Sequence, residues 1–379
     1  MDDWIGRAEA LERLGIRAQT LYAYVSRGWI DAQPDPGDPR RSLYAAGDIE
    51  RLAARRRRGR KAGAIAASAM AWGEPALPTR ISTMAHGRLI YRGEDAVHLA
   101  QSGTLEQIAA LLWGLERPPC FTADDVPTVT GANPFAALAE GLTDCPASLG
   151  RSIALLGADG AWAVARLATG FGLPRMEAPL HDRLAALWSL DARGADLVRR
   201  ALVLMADHEL NASTFAVRVA ASTGAAIPAC TLAGLATLSG PRHGGAGEAL
   251  AMLLRHAAHD GVTAALARWL ASGHALPGFG HILYPQGDPR AQALLGRLGI
   301  DPLMAELSEA ARDATGAAPN IDFALCALTR ALDLPEQAPF LLFALGRSVG
   351  WVAHAIEQAT DGALIRPRGR YEGPMPAPG

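Results

Sequence analysis

Lysine is almost missing from this 379-residue chain. It occurs once, at Lys61, so every other cation among the 36 Lys and Arg residues is an arginine. Any anion site must therefore be built from Arg forks, histidine or backbone N–H groups. Cysteine is also scarce: Cys120, Cys145, Cys230 and Cys326 are far apart. That excludes both a disulfide framework and Cys-x-x-Cys metal spacing, and the four are expected to be reduced core residues. No basic segment followed by an apolar stretch opens the sequence at Met1-Asp-Asp-Trp4, and the apolar run Ile227 to Leu238 is too short for a span. The expectation is a cytoplasmic protein with no membrane segment. His86, His98, His181, His256, His259 and His274 have no metal-ligand partners at a convincing spacing, so no metal is expected.

Half the residues are apolar and the formal net charge is −2, so the chain can bury a large core divided into two or three domains. Residues 1–63 carry 13 Lys/Arg against 9 Asp/Glu, a basic head on an acidic body. The head reads as a helix from Arg7 to Leu14, a turn at Gly15 and a second helix from Ala18 to Arg27. A hairpin wing with Arg40, Arg41 and Tyr44 comes next, then a third helix near Asp48. Leu14-Gly-Ile-Arg-Ala-Gln-Thr-Leu-Tyr-Ala-Tyr-Val-Ser-Arg-Gly28, with Arg40-Arg-Ser-Leu-Tyr44 and Asp48-Ile-Glu-Arg-Leu52, resembles the winged helix-turn-helix of MerR-like and excisionase-like proteins. The resemblance implies DNA contacts from Gln19, Thr20, Tyr22, Tyr24 and Arg27 in the major groove, with Arg40 and Arg41 on phosphates. A docking domain without DNA contact remains the alternative. Arg55-Arg-Arg-Arg-Gly-Arg-Lys61 reads as a basic linker.

From about Ala64 the chain reads as helical nearly throughout. Thr104 to Leu115, Leu180 to Leu190, Ala195 to Leu210 and Gly247 to His259 carry apolar residues at helical spacing, punctuated by Gly and Pro. Four glycine- and proline-framed segments then concentrate the ionisable residues. They are Ser239-Gly-Pro-Arg-His-Gly-Gly-Ala246, Pro277-Gly-Phe-Gly-His281 running on to Asp288-Pro-Arg290, Asn320-Ile-Asp-Phe323, and Gly346-Arg-Ser-Val-Gly-Trp-Val-Ala-His354. Two histidines, a carboxylate and several arginines suit carbon acid chemistry on an anionic substrate.

In this order, and with Asp207-His-Glu-Leu-Asn-Ala-Ser-Thr-Phe215, Ile365-Arg-Pro-Arg-Gly-Arg-Tyr-Glu-Gly373 and Leu89-Ile-Tyr-Arg-Gly93, the segments resemble citrate synthase. The resemblance implies a mainly α, two-domain helical fold carrying an N-terminal winged helix-turn-helix. Residues 1–63 would be the head and linker, 64–240 with 328–379 the large domain, and 241–327 a small lid. It further implies acetyl-CoA as co-substrate, no permanently bound cofactor, and His243, His281 and Asp322 as catalytic residues. Asp322 would take the methyl proton while neutral His243 bonds the thioester oxygen, its charged form disfavoured by the helix starting near Gly245. His281 would polarise the oxaloacetate carbonyl. His208, Arg290, Arg347 and Arg366 would hold the carboxylates, Arg366 in the partner's site of a homodimer. Backbone groups of Ala275, Pro277, Gly278 and Gly280 would hold the adenine of CoA. His354 is expected only to pack or cap. Two other readings stay open: 2-methylcitrate synthesis from propionyl-CoA, and a DNA-binding regulator whose synthase-like body senses metabolites.

Overall fold

The computed structural model describes residues 4–14, 16, 21, 24–25, 30–50, 77–122, 133–369, 371 and 373–375, with the side chains of 39–41 excepted. The chain divides into two compact units, residues 1–77 and 78–379.

In the first unit, strand β1 (Trp4–Gly6) leads directly into helix α1 (Arg7–Leu14), and β2 (Ala32–Asp35) and β3 (Asp38–Ala45) form a hairpin. The sheet is antiparallel with order β1-β3-β2. Asp35 closes the hairpin turn by accepting from Gly37 N at 2.9 Å, the turn chemistry expected of an Asx side chain. Ile5, Ala10, Leu14, Leu21, Ile30, Tyr44 and Ile49 make its small core. The backbone is helical again at 46–50. The expected first helix and hairpin are thus present. Gln19, Thr20, Tyr22 and Arg27 lie outside the described residues, as do the run Arg55 to Lys61 and the expected boundary at 63/64. Of Arg40 and Arg41 only the backbone is described, within β3.

The second unit begins with a small antiparallel sheet, β4 (Ser82–Ala85), β5 (Arg88–Tyr91) and β6 (Glu94–Asp95). Helices follow: α2 (Ala96–Leu99), α3 (Leu105–Trp113), α4 (Pro134–Ala139), α5 (Ile153–Gly170), α6 (Leu180–Trp188), α7 (Ala192–Met205), α8 (Ala212–Ser222) and α9 (Ile227–Leu238). Then come α10 (Ala246–Asp260), α11 (Val262–Ala271), α12 (Pro289–Leu295), α13 (Pro302–Thr315), α14 (Ile321–Ala331) and α15 (Ala338–Asp361). Local chemistry fixes their ends. Thr104 and Gln107 form a capping box at α3, Asp191 and Asn211 cap α7 and α8, and Asp301 with Pro302 starts α13. Helix α7 stops at Met205, short of the expected Leu210, and the chain beyond it cannot return to the helix, since Glu209 turns left-handed at φ 51°. Ser82 Oγ accepts from Glu209 N at 3.1 Å, and Glu209 Oε1 accepts from Met84 N at 2.8 Å, which holds that turn on β4.

Helix α15 is the axis of the larger core. Nearly every residue from Ala338 to Ala359 is buried, against α3, α5, α7, α8 and α9. Among the described residues it is the one helix long and apolar enough to cross a membrane, yet 89% of its apolar stretch is buried inside the protein. A smaller core gathers Leu250, Leu253, Val262, Met304, Leu307 and Phe279 from α10, α11, α13 and a loop. Helix α14 belongs to both: Ile321, Ala324, Leu325 and Leu328 face the larger core, while Phe323, Cys326 and Ala327 face the smaller. The cysteine expectation needs correcting. Cys230 and Cys326 are buried, but Cys120 is exposed and Cys145 half-buried, because both sit in connections outside the packed helices.

Close approach of α15 to the end of α7 requires a missing side chain at Gly350. A Cβ there would lie 2.3 Å from Ala206 O and 2.4 Å from Asp207 Oδ1. Gly350→Ala is therefore expected to lower stability by about 1–3 kcal/mol, since neither neighbour is a flexible tip. Gly299→Ala, where nothing lies within 4 Å, should stay within about 0.5 kcal/mol of the parent. Urea unfolding midpoints of the two variants check the contrast.

Candidate active site

Two chain segments pair to bring a histidine beside a carboxylate. Gly280 N donates to Ala318 O at 2.8 Å and Asn320 N donates to Gly278 O at 2.9 Å, so the stretch before His281 runs along the stretch before Asp322. The Asn320 side chain serves both: Nδ2 donates to Gly280 O at 3.1 Å, while Oδ1 caps α14 by accepting from Asp322 N and Phe323 N. Gly278 must be glycine, with φ at +82° and a virtual Cβ 2.8 Å from Leu250 Cδ2. Asp288 adds a second tie. Its buried carboxylate accepts from Arg290 Nε (3.0 Å), Nη2 (2.8 Å) and backbone N (3.0 Å), and from Ile321 N at the start of α14 (3.1 Å). Burial pulls the Asp288 carboxyl upward, but the Arg290 guanidinium outweighs it and holds the group below the usual carboxylate range.

Asp322 has the opposite fate. Its side chain accepts no hydrogen bond from a protein donor among the described residues, and burial, against the pull of Arg290 and Arg347, lifts its pKa to about 6. It is a carboxylate made more basic by its surroundings.

His243, His281 and His208 are each pushed toward neutrality. His243 sits in the tight connection between α9 and α10, where its N–H bonds Gly240 O at 2.9 Å and Gly244 N bonds Leu238 O at 2.8 Å. Burial, aided by Arg347, lowers its pKa to about 4. Desolvation and a nearby guanidinium are causes beyond the helix start that the sequence suggested, and that helix does begin close by at Ala246. Its Nε2 lies 2.9 Å from Ser213 Oγ, which also accepts from Trp351 Nε1 at 3.1 Å and lies 2.8 Å from Asn211 Oδ1. His281 Nδ1 accepts from Leu283 N at 3.2 Å, which places the hydrogen of the neutral ring on Nε2. Burial and Arg290 lower its pKa. His208 is buried with its ring edge-on to His281, centroids 5.0 Å apart. Burial, then Arg290, Arg347 and His281, hold its pKa well below the ordinary value.

Arg347 is 1% exposed. Its Nε donates to Met205 O at 3.0 Å and its guanidinium lies 5.0 Å from the Phe343 ring centroid. Its two terminal nitrogens have no protein acceptor among the described residues, and burial brings its pKa down to about 10. A guanidinium anchored at one nitrogen and open at the other two is arranged to receive a carboxylate.

His208, His281, Arg290, His243, Arg347 and Asp322 therefore share one electrostatic neighbourhood. Arg366 does not join them within this chain; it is exposed on the segment after α15. Ala275 is exposed and its carbonyl accepts from Trp269 Nε1 at 3.1 Å, while Pro277 and Gly278 are buried and Gly280 is exposed. A pocket of about 220 Å³ opens beside Gly280, His281, Tyr284, Asp288 and Asn320. Its lining excludes His243, Asp322 and Arg347, so it adjoins the charged cluster from the His281 side. Sequence reasoning gave no role to Ser213, Tyr284 or Asp288, although each lies inside or directly beside a segment it singled out. It also undervalued His354, which is fully buried with Nε2 3.3 Å from Asp207 Oδ2 and Nδ1 3.3 Å from Arg218 Nη1. A histidine repeating at the Gly346, Gly350, His354 spacing of one helix face was the available signal.

Comparison with known proteins bears on what this neighbourhood is. Residues 150–368 match the family described as citrate synthase, C-terminal domain. Citrate synthase of Haloferax volcanii is 37% identical over 193 residues, 47% of this chain and 50% of that protein. Citrate synthase 2 of Bacillus subtilis is 36% identical over 186 residues, 46% of this chain and 50% of its own length. The chain spans about half the length of these curated relatives. A crystal structure of citrate synthase from Thermotoga maritima shares the fold with a TM-score of 0.66 at 26% identity, over 81% of this chain and 96% of that one. The Thermoplasma acidophilum enzyme in ternary complex with carboxymethyl coenzyme A and oxaloacetate has a TM-score of 0.63 over 82% of this chain and 97% of that one; at 24% identity it speaks to the fold alone. The matched residues 150–368 make up more than half of the chain and include every histidine, arginine and aspartate of the cluster, and the chain belongs to the citrate synthase family.

Proposed function

We propose that this protein condenses acetyl-CoA with oxaloacetate and hydrolyses the resulting thioester, releasing citrate and CoA. The observation that carries the reading is Asp322: a carboxylate without hydrogen-bond donors among the described residues, raised to about 6, in a site whose histidines are neutral. Removing a methyl proton from a thioester needs a base stronger than an ordinary carboxylate and a donor for the forming enolate oxygen. Asp322 supplies the first. His243 supplies the second when Ser213 gives its one hydroxyl hydrogen to Nε2, which puts the imidazole hydrogen on Nδ1. Donation to Asn211 Oδ1 would leave that hydrogen on Nε2, so an arriving thioester oxygen favours the first arrangement.

His281, with its hydrogen on Nε2, polarises the 2-oxo carbonyl for attack by the enol carbon. The substrate carboxylates fall to His208, Arg290 and the free nitrogens of Arg347. Each charge-assisted bond contributes roughly 1.5–3 kcal/mol once water is excluded. Arg366 supplies a further bond from the partner in a homodimer, in keeping with its exposed position in its own chain. Residues 241–327, whose helices α10, α11 and α13 pack around the smaller core, act as the lid whose closure excludes water. The backbone of Ala275 to Gly280 takes the adenine of CoA.

A second reading concerns the first unit, which folds around its own core and carries a net positive charge in residues 1–63. A helix followed by a β-hairpin supports a winged helix-turn-helix that binds duplex DNA, with the synthase body as metabolite sensor or as an enzyme beside it.

Mixing protein, oxaloacetate and acetyl-CoA should release free thiol; a folded protein that releases none at high concentration refutes the condensation, and propionyl-CoA in parallel gives the acyl preference. The rate per CoA consumed at low substrate should fall tenfold per unit below about pH 6, as Asp322 takes up its proton. Asp322→Asn should abolish thiol release and yet stabilise the fold. Its folded-state pKa lies above the unfolded value, so the ionised group costs stability above about pH 6, and that cost fades as pH falls toward 4. At about pH 8 the variant should be about 1–3 kcal/mol more stable than the parent, and equal to it near pH 4. Urea melts at the two pH values decide. For the second reading, a gel shift at stated salt should show sequence-dependent retardation of duplex DNA by the full chain; retardation indifferent to sequence, or none, removes the regulator.

A further inference from the structure

Tyr284 lies at the meeting point of three segments and has no part in the mechanism above. Its backbone N–H bonds His281 O at 3.0 Å, so it travels with the His281 turn. Its ring stands 4.9 Å from the His281 ring, 5.5 Å from the His208 ring and 5.5 Å from the Arg290 guanidinium. Its hydroxyl oxygen lies 3.0 Å from His208 Nε2 and also 3.0 Å from Met84 Sδ on β4. The one hydroxyl hydrogen can go to Nε2 when that nitrogen is bare, or to Met84 Sδ when Nε2 carries the ring hydrogen and donates to the hydroxyl oxygen. A bare imidazole nitrogen is a strong acceptor and a thioether sulfur a weak one, which favours the first arrangement.

We propose that the Tyr284 hydroxyl sets the tautomer of His208, donating to Nε2 and thereby keeping the ring's single hydrogen on Nδ1, from which it bonds a carboxylate of the bound 2-oxo diacid. Nδ1 has no protein partner among the described residues. The alternative tautomer would turn a lone pair toward an anionic ligand in a buried site and lose the bond. A neutral ring makes the choice of tautomer decisive, since a protonated ring would donate from both nitrogens regardless. Burial and the guanidinium groups of Arg290 and Arg347 keep His208 neutral. Tyr284 is thus a positioning residue: it acts on substrate through His208. The cation–π contact with Arg290 and the packing on His281 hold its ring, and both survive removal of the hydroxyl alone.

The proposal rests on the condensation reading for the identity of the diacid, but the tautomer is testable without turnover. In ¹⁵N-histidine-labelled full-length protein, with the His208 signals assigned against His208→Gln, the parent should show a protonated Nδ1. Tyr284→Phe should move the hydrogen to Nε2 and weaken oxaloacetate binding by roughly ten- to a hundredfold in calorimetry. Met84→Leu, which removes the competing acceptor, should keep the Nδ1–H form. A parent with Nε2 protonated, a Tyr284→Phe variant with tautomer or affinity unchanged, or loss of Nδ1–H in Met84→Leu overturns the assignment. A parent that shows the Nδ1–H form and binds oxaloacetate but releases no thiol sinks the condensation reading and still supports this one.

Discussion

The carboxamide of Asn320 joins the two halves of the chemistry. Its oxygen caps α14 and so orients Asp322, two positions into the helix, while its nitrogen holds the carbonyl immediately before His281. Without that bridge, a helix start and a glycine-rich turn would be free to move against each other by the ångström or so that separates a productive geometry from a loose one. Asp288 reinforces it from behind, bonding Ile321 N at the same helix start while fixing Arg290 through two nitrogens. A depressed carboxylate next to a raised one, Asp288 and Asp322, follows from this division of labour: the first receives four donors and the second, among the described residues, none. Their environments push two chemically identical groups apart, and the one left without donors is the one fit to act as a base.

Near-absence of lysine shapes the rest. Buried arginines take structural roles that need a planar fork. Arg199 reaches the carbonyls of Ala100, Gln101 and Gly103 beyond α2, and Arg183 those of Phe121 and Pro174. Arg347 is the same device left half finished, with Nε on Met205 O and the other nitrogens open. Keeping such a charge out of water needs compensation nearby, and the Asp207 carboxylate provides it. That carboxylate is held in turn by Ser82 and His354, and His354 by Arg218, which pairs with Glu357 at 2.6 Å. Since Arg218 can only donate, His354 accepts through Nδ1 and donates through Nε2, so a buried chain of defined polarity stands behind the open guanidinium. Gly350 lets the chain close, because any side chain there would occupy the space of Asp207 Oδ1.

Much of this was legible in the sequence, for reasons that differ by residue. The helix start at Thr104 was readable because a cap acts within one turn, whereas the caps Asp191, Asn211 and Asn320 were not singled out, and α7 begins at Ala192, ahead of the expected Ala195. His243, His281, Asp322 and Arg347 stood out because glycine and proline frame ionisable groups where backbone must turn tightly. Ser213, Tyr284 and Asp207 were not readable as functional. Their importance comes from partners 30, 76 and 147 positions away, a separation on which local spacing is silent. The early end of α7 escaped for a related reason: Glu209 is a good helix former, turned left-handed by bonds to Ser82 and Met84 on a strand far earlier in the chain. Tertiary bonds overrode propensity at the place where His208 had to be presented.

Two histidines of the site share a logic that neither sequence nor pKa alone expresses. His208 and His243 are each neutral and each meet a single hydroxyl through Nε2, and each hydroxyl has a second acceptor of its own. The two differ in the quality of the competitor. Met84 sulfur is a weak rival, which leaves Tyr284 committed to His208; the Asn211 carboxamide oxygen is a strong one, and it already accepts from Thr214 N at 3.1 Å. On the proposed assignment, His208 is preset as a donor before ligand arrives. On the same proposal, His243 becomes one only as a substrate oxygen shifts the Ser213 hydrogen, which would separate binding from activation between two residues of the same type by the chemistry of a third group.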